Sequence, residues 1–439
     1  MIEVIQSMRE RLLQTNSPSL NHSGVSGERL TSRLIEIAKI GLTVEGGSHR
    51  LGYSSEEAQA KGLVKKWINE MGLEVRMDGA GNIIGRLEGK KGLPAIACGS
   101  HIDSVPNGGH FDGVLGVLAA LEVLEAWKYI GFQPTVPVEV IVFADEEGTR
   151  FNTGYIGSSA MTGKAEWNFL SRLTDQEDYR FADIARVAGI TQESFTNAAR
   201  SADELSAYIE VHIEQGTQLE RNEQPVGIVT GIAGSSNLEL KFIGMAAHAG
   251  NTPMKGRRDA LVAASHFIST LPELALSVSD TAVATVGQLH VYPNGSNVVP
   301  GEVRLSVDLR DIYSNSIQRL MEKVKSRATD IERLFNVQVE WTDTLQIAPT
   351  LMDQTLIELQ EKTIKKNGMI PVHLPSGAGH DAMVMGRHIP TAMFFTRSLG
   401  GISHHPAEWS DLSDCMQTVH VLKGFLERLS SDLAERGNI

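Results

Sequence analysis

The chain has 439 residues, 41% hydrophobic and 21% charged, proportions of a globular protein long enough for two domains. Its formal net charge of −13 argues against nucleic acid or an anionic membrane as a partner, although a local arginine can still hold a small anion. No apolar run reaches the roughly eighteen residues of a membrane span, and the opening segment mixes acids with bases and lacks the apolar centre of a signal peptide. The only cysteines, Cys98 and Cys415, argue against a disulfide framework and fit a reducing, cytoplasmic setting.

The first dozen residues suit a short amphipathic helix, followed by a polar, disorder-prone stretch through Ser26, so residues 1–28 read as an N-terminal extension. Helical spacing then runs from Ala58 to Met71, a buried strand from Leu93 to Cys98, and a second helix from Gly116 to Trp127. Val136–Ala144 and Tyr208–Ile213 are further strands, which completes an α/β alternation. Between about Ser235 and Thr342 the texture changes to alternating strands with two amphipathic helices, one starting near Asp259 and one spanning Ser316–Leu334. The α/β texture returns with a strand at Pro390–Thr396 and a helix at Asp414–Leu433. The expected fold is therefore α/β: a mixed-sheet catalytic domain with helices on both faces (1–230 and 346–439), interrupted by a smaller α+β domain (231–345).

Ligands of an open α/β sheet bind beyond the carboxyl ends of its strands, so the chemistry is sought there. Gly99-Ser-His-Ile-Asp-Ser104 follows the first strand and points His101 at such a site, with Asp103 placed to accept its other ring N–H. Asp112 lies in a glycine-flanked turn just before a helix, where an isolated aspartate is usually only a cap. Asp145-Glu-Glu-Gly148 crowds three acids at the end of a buried strand, which is costly unless a proton or cation neutralises them. Metal-assisted hydrolysis needs one acid to hold a metal and another to take a proton from the attacking water, and adjacent glutamates can divide those roles. His212 and His404 sit at the ends of two more strands. Nitrogen and oxygen donors without thiolate suit Mn²⁺, Zn²⁺, Co²⁺ or Ni²⁺ without choosing among them; two divalent ions are expected, with Mn²⁺ taken first. His110 reads as exposed, and His266, His290, His373, His388 and His420 lack acid partners at ligand spacing.

The segments GSHIDSVPNGGHFDGVLGV, ADEEGTRF, EVHIEQG, AAHAGNTPM and SHHPAEWS together resemble the M20 metallopeptidase superfamily, and within it the amidase branch of N-carbamoyl-L-amino acid hydrolases, allantoate amidohydrolases and β-ureidopropionases. The resemblance covers roughly Leu30 to Leu429. It implies His101 and His212 as ligands to one metal, Glu147 and His404 to the other, Asp112 as the bridge, Glu146 as general base and Asp103 as the orienting acid. His404 rather than His405 is taken as ligand because it directly follows Ser403. His248 would reach into a partner subunit's site as oxyanion donor, which implies a homodimer through the inserted domain.

For the substrate, the resemblance assigns Asn297 and Arg310 to a carboxylate, although Arg310 between Asp308 and Asp311 is by pattern alone a structural ion pair. Gln215 is a donor or acceptor for a ureido group, and the turn Ser376-Gly-Ala-Gly-His-Asp381 offers backbone at Gly379, with His380 as an outside candidate. The expected reaction is hydrolysis of a small carboxylate-bearing ureido compound, an N-carbamoyl-L-amino acid first and allantoate second. A peptidase of the same superfamily and a non-catalytic, metal-stabilised dimer are the competing readings.

Overall fold

Runs of β-branched and aromatic residues form the strands, which we number in chain order. They are β1 (Glu74–Met77), β2 (Ile83–Leu87), β3 (Ala95–His101), β4 (Val138–Phe143), β5 (Leu205–Ile213), β6 (Val226–Ile232), β7 (Gly234–Ile243) and β8 (Ala247–His248). Then come β9 (Val283–Tyr292), β10 (Val298–Val299), β11 (Glu302–Asp311), β12 (Gln338–Ile347), β13 (Thr350–Leu351), β14 (His373–Ser376) and β15 (Thr391–Thr396). The computed structural model describes residues 2–436 and divides the chain into two units.

The larger unit comprises the residues up to Thr230, Met352–Leu374 and those from His380 onward. It holds most of a mixed nine-stranded sheet of order β1-β2-β4-β3-β5-β15-β6-β13, with β14 also paired to β6. β3, β4, β5 and β15 run parallel, so their carboxyl ends share one edge of the sheet. The helices α1 (Ile2–Gln14), α2 (Gly27–Ala38), α3 (Ser55–Glu70) and α4 (Val114–Ile130) precede or alternate with these strands. α3 starts three residues earlier than its apolar spacing indicates because Ser54 caps it, its hydroxyl accepting the Glu57 N–H at 3.1 Å. α4 packs on β3 and on the C-terminal helix Leu412–Arg436, which explains why it is apolar on nearly every side.

The polar stretch after α1 is not disordered. It makes a single 3₁₀ turn at Pro18–Leu20. Ser26 N–H and Arg29 satisfy the buried Glu122 carboxylate of α4 at 2.7 and 2.6 Å, and His420 bonds Leu20 O at 2.8 Å. A carboxylate nearly a hundred residues away thus uses the polar groups that locally look like a linker. Between β4 and β5, four short helices pack Phe151, Trp167, Phe181 and Phe195 into a separate aromatic cluster that periodicity alone does not reveal.

The smaller unit, Gly231–Leu351 with Pro375–Gly379, holds an antiparallel sheet of order β12-β7-β11-β9. Alternation sets its core: Val303, Leu305, Val307 and Leu309 of β11 are buried with the helices Ala260–Ile268 and Ser314–Phe335. Asp259 caps the first of these, accepting Leu261 and Val262 N–H, and β8 pairs with β10 through His248 and Val298. Among the described residues, no helix is long and apolar enough to cross a membrane.

Candidate metal centre

The four parallel strands bring four segments to one edge. His101 is the last residue of β3, and His212 is the penultimate residue of its neighbour β5. Asp145–Glu147 follow β4, and the loop 397–408 follows β15. Asp112 stands immediately before α4, joined to it by Gly113 at φ 62°. A Cβ at Gly113 would run into the His101 ring, so both its backbone angle and its space require glycine.

Asp112 lies between two groups of donor atoms. Its Oδ1 is 2.9 Å from His212 Nε2 and 3.4 Å from His101 Nε2. Its Oδ2 is 3.6 Å from His404 Nε2, which is itself 3.4 Å from Glu147 Oε2. Within each triad, His101–Asp112–His212 and Asp112–Glu147–His404, the donor atoms lie within 4.8 Å of one another. His212 Nδ1 faces Ile213 O at 3.0 Å, which places its proton there and leaves the Nε2 lone pair as an acceptor, facing the Gly113 N–H at 3.2 Å and the Asp112 carboxylate. His404 adopts a left-handed backbone, φ 54°, a strained conformation for a non-glycine residue. His405 instead ties its ring to its own loop, Nδ1 accepting the Ala407 N–H at 3.0 Å.

Asp103 meets His101 through two of its oxygens. His101 Nδ1 is nearer the Asp103 backbone carbonyl, 3.2 Å, than its carboxylate, 3.5 Å. The carboxylate accepts the Glu146 and Glu147 N–H groups at 3.3 and 3.1 Å, and so fixes the turn on which both glutamates stand. Glu146 Oε2 then lies 3.6 Å from His101 Nε2, and Asp145 packs its carboxylate against Gly52.

The electrostatics call for a cation. Burial, reinforced by Asp381 and Glu147, pushes Glu146 well above the usual carboxylate range, against the pull of His101. Burial and Asp112 do the same to Glu147. Burial would raise Asp112 too, but the facing His212 and His101 hold it well below. Burial would also lower His101, yet Glu146, Asp103 and Asp112 keep it charged well above the ordinary histidine value. A proton on histidine thus supplies positive charge where His101 Nε2, fully buried, has no hydrogen-bond partner. An orphaned buried nitrogen facing a shared carboxylate, within a mixed N and O donor set, fits a pair of divalent ions.

Of the other expected residues, Gln215 joins the cluster, its amide donating to Asp112 Oδ2 at 2.9 Å and to Ser403 Oγ at 3.2 Å. His248, Asn297, Arg310 and Gly379 belong to the smaller unit. There Asn297 O accepts the Ala249 N–H beside His248, and Arg310 bonds Asp308 at 2.9 Å and Gly377 O at 2.8 Å. His110 is buried rather than exposed. Its Nε2 bonds Gly46 O at 2.9 Å, and burial holds its pKa down at about 4. His373 has an acid partner after all, Glu361 at 3.0 Å, on the surface. His380 is buried with its ring 4.5 Å from that of His212.

Two residues escaped the sequence reading. Glu408 is buried and accepts the Phe111 and Asp112 N–H groups at 2.8 and 3.0 Å. Ser403 Oγ lies 2.8 Å from Asp112 Oδ2 and 2.9 Å from Glu408 Oε2. Burial, then Asp112, lifts Glu408 to about 7. The available signals were an acid inside SHHPAEWS and the glycine pair at 108–109, since a Cβ at Gly109 would strike the Glu408 carboxylate.

The model of peptidase family M20/M25/M40 matches residues 97–428, a span that contains every member of the cluster. The chain belongs to this family. It is 42% identical over 399 residues to an N-carbamoyl-L-amino acid amidohydrolase of Geobacillus stearothermophilus, covering 91% of this chain and 97% of that protein. It is 34% identical over 402 residues to an allantoate amidohydrolase of Bacillus subtilis (strain 168), with 91% and 97% covered. The crystal structure of an amidase of the hydantoinase/carbamoylase family from Burkholderia multivorans superposes with a TM-score of 0.86 at 31% identity, over 94% of this chain and 98% of that one. The family member described here is thus of the hydantoinase/carbamoylase amidase branch, a metal-dependent amidohydrolase of carbamoylase/allantoate type.

Proposed function

We propose that the enzyme hydrolyses N-carbamoyl-L-amino acids, taking R–NH–CO–NH₂ and water to the amino acid, CO₂ and ammonia. The observation that carries this reading is the single carboxylate of Asp112, which offers one oxygen to His101 and His212 and the other to the Glu147–His404 pair, with Glu146 alongside. The 42% identity to an N-carbamoyl-L-amino acid amidohydrolase supports the substrate class.

His101, His212 and Asp112 would hold one divalent ion, and Asp112, Glu147 and His404 the other, with Mn²⁺ the first choice and Zn²⁺, Co²⁺ or Ni²⁺ alternatives. When bound, such a pair polarises the scissile carbonyl and makes water easier to deprotonate. Glu146, its carboxyl raised by burial, takes the proton from the attacking water and returns it to the leaving nitrogen. Asp103 holds Glu146 and Glu147 in register through their N–H groups. The amide nitrogen of Gln215 is committed to Asp112 and Ser403, so its carbonyl oxygen is the end offered to the ureido group.

His248 accepts the Gly250 and Asn251 N–H groups on Nδ1, at 3.1 and 3.2 Å, which places its proton on Nε2. That is the tautomer an oxyanion donor needs, and we assign the role to His248 of a second copy in a homodimer joined through the smaller unit. Asn297, Arg310 and the backbone at Gly379 would receive the substrate carboxylate. Arg310→Ala is expected to raise KM about 10–100-fold with kcat little changed, the value of a charge-assisted pair. An unchanged KM in steady-state kinetics would leave Arg310 with a structural role, at Asp308 and Gly377 among others. The two unpaired, buried cysteines suit a cytoplasmic location.

Allantoate is the second reading, supported by the 34% identity to an allantoate amidohydrolase. Ammonia release from N-carbamoyl amino acids, allantoate and dipeptides, after chelation and again after return of Mn²⁺ or Co²⁺, tests both. We expect no activity in the chelated protein and restored turnover of N-carbamoyl-L-amino acids. Turnover of dipeptides with the ureido compounds untouched overturns the proposal.

A further inference from the structure

We propose that Glu408 is a positioning residue that, through Ser403 and the Phe111–Asp112 backbone, sets Asp112 between the two donor groups. The inference rests on the metal-dependent reading above. The Glu408 side chain is tied to Asp112 directly at its backbone N–H and, through Ser403, at its carboxylate. Oε1 accepts two consecutive N–H groups, Phe111 at 2.8 Å and Asp112 at 3.0 Å, which fixes the peptide from which the Asp112 side chain departs. Oε2 lies 2.9 Å from the Ser403 hydroxyl, which reaches the carboxylate tip of Asp112 at 2.8 Å. Base and tip of one ligand are thereby referred to the same buried carboxylate.

Ser403 also adjoins His404, whose backbone is held in the left-handed region. The anchor therefore governs two members of the Asp112–Glu147–His404 triad at once. The other triad has its own supports, because His101 and His212 stand on β3 and β5 with their Nδ1 atoms on the Asp103 and Ile213 carbonyls. From behind, the loop is braced by Trp409, edge-on to Phe111 at 5.3 Å and covered by Arg11 at 3.8 Å, and by Thr15, whose hydroxyl accepts the Leu412 N–H at 3.0 Å. The neighbour of Glu408 is thus locked, so that its carboxylate stays put when the metal site changes.

The test is titration of the full-length, metal-free protein with Mn²⁺ in a calorimeter, repeated with Co²⁺ while the visible spectrum is followed. Wild type is expected to take up two ions. Glu408→Ala and Ser403→Ala should weaken one binding step about 10–100-fold, as loss of an outer hydrogen-bond partner of a ligand does, and should alter one set of Co²⁺ bands. Glu408→Gln, whose amide oxygen still accepts both N–H groups, should recover most of that loss. At saturating metal the KM of Glu408→Gln should stay at the wild-type value. A purely structural role would lower the melting temperature and leave the two binding steps in their original ratio. Should Glu408→Ala fail to fold, Ser403→Ala and Glu408→Gln decide the matter alone. Unchanged affinities in those variants, or an equal fall in both steps, overturn the proposal. A wild type that binds two ions yet releases no ammonia from any ureido compound would instead remove the functional reading and leave this one standing.

Discussion

Glu146→Gln is expected to bind two metal ions as wild type does and to lose about 10²–10⁴-fold in kcat. The amide keeps the size and shape of the side chain, so the turn held by Asp103 should survive. It has no basic oxygen with which to take a proton from water, and none to return to the leaving nitrogen. Glu146 lies 3.6 Å from His101 Nε2 and is absent from both ligand triads, so its loss should not empty either site. Metal analysis beside kinetics separates the roles: a variant short of one ion would make Glu146 a ligand, and one with near-normal kcat would move the base elsewhere. The comparison with Glu147→Gln is informative, because Glu147 Oε2 faces His404 Nε2 at 3.4 Å and its loss should weaken one ion. Two adjacent glutamates would then give opposite results in metal content.

Which glutamate takes which role came from the family resemblance, but that this turn needs a cation or a proton has a local cause. A buried strand that ends in Asp-Glu-Glu-Gly has an unpaid electrostatic cost, and strands read from apolar runs locate where that cost falls. The layered α/β architecture with an antiparallel insert was legible for the same reason, since buried runs such as β4 give way to strict alternation such as that of β11. What stayed hidden depends on distant partners. Glu408 and Phe111 are 297 residues apart in sequence, and nothing near Glu408 distinguishes it from an acid in any polar loop. His110 looks like a surface histidine until Gly46 folds over it, and the stretch before Ser26 looks like a linker until Glu122 claims its N–H. Asp103 presents both its backbone carbonyl, at 3.2 Å, and its carboxylate, at 3.5 Å, to His101 Nδ1, a detail that spacing does not encode.

Asp112→Asn should be the most damaging single substitution, because it strikes the one ligand that both triads share. Asparagine presents one oxygen and one NH₂, and neither orientation satisfies the site. With NH₂ toward His101 and His212, it meets two nitrogens that should face a cation. Turned the other way, it meets the Gln215 and Ser403 donors, which already occupy that side at 2.9 and 2.8 Å. The negative charge that faces His101 and His212, and that raises both above the ordinary histidine value, disappears in either case. We therefore expect metal stoichiometry to fall from two to one or none and kcat to drop by about 10³-fold or more, given several kcal/mol of lost carbonyl polarisation and about 1.4 kcal/mol per factor of ten. Excess Mn²⁺ should not restore it, whereas Glu147→Gln, which touches one triad, should respond to added metal. If Asp112→Asn retained two tightly bound ions, the two triads would be independent sites and the shared-carboxylate geometry would have no catalytic meaning.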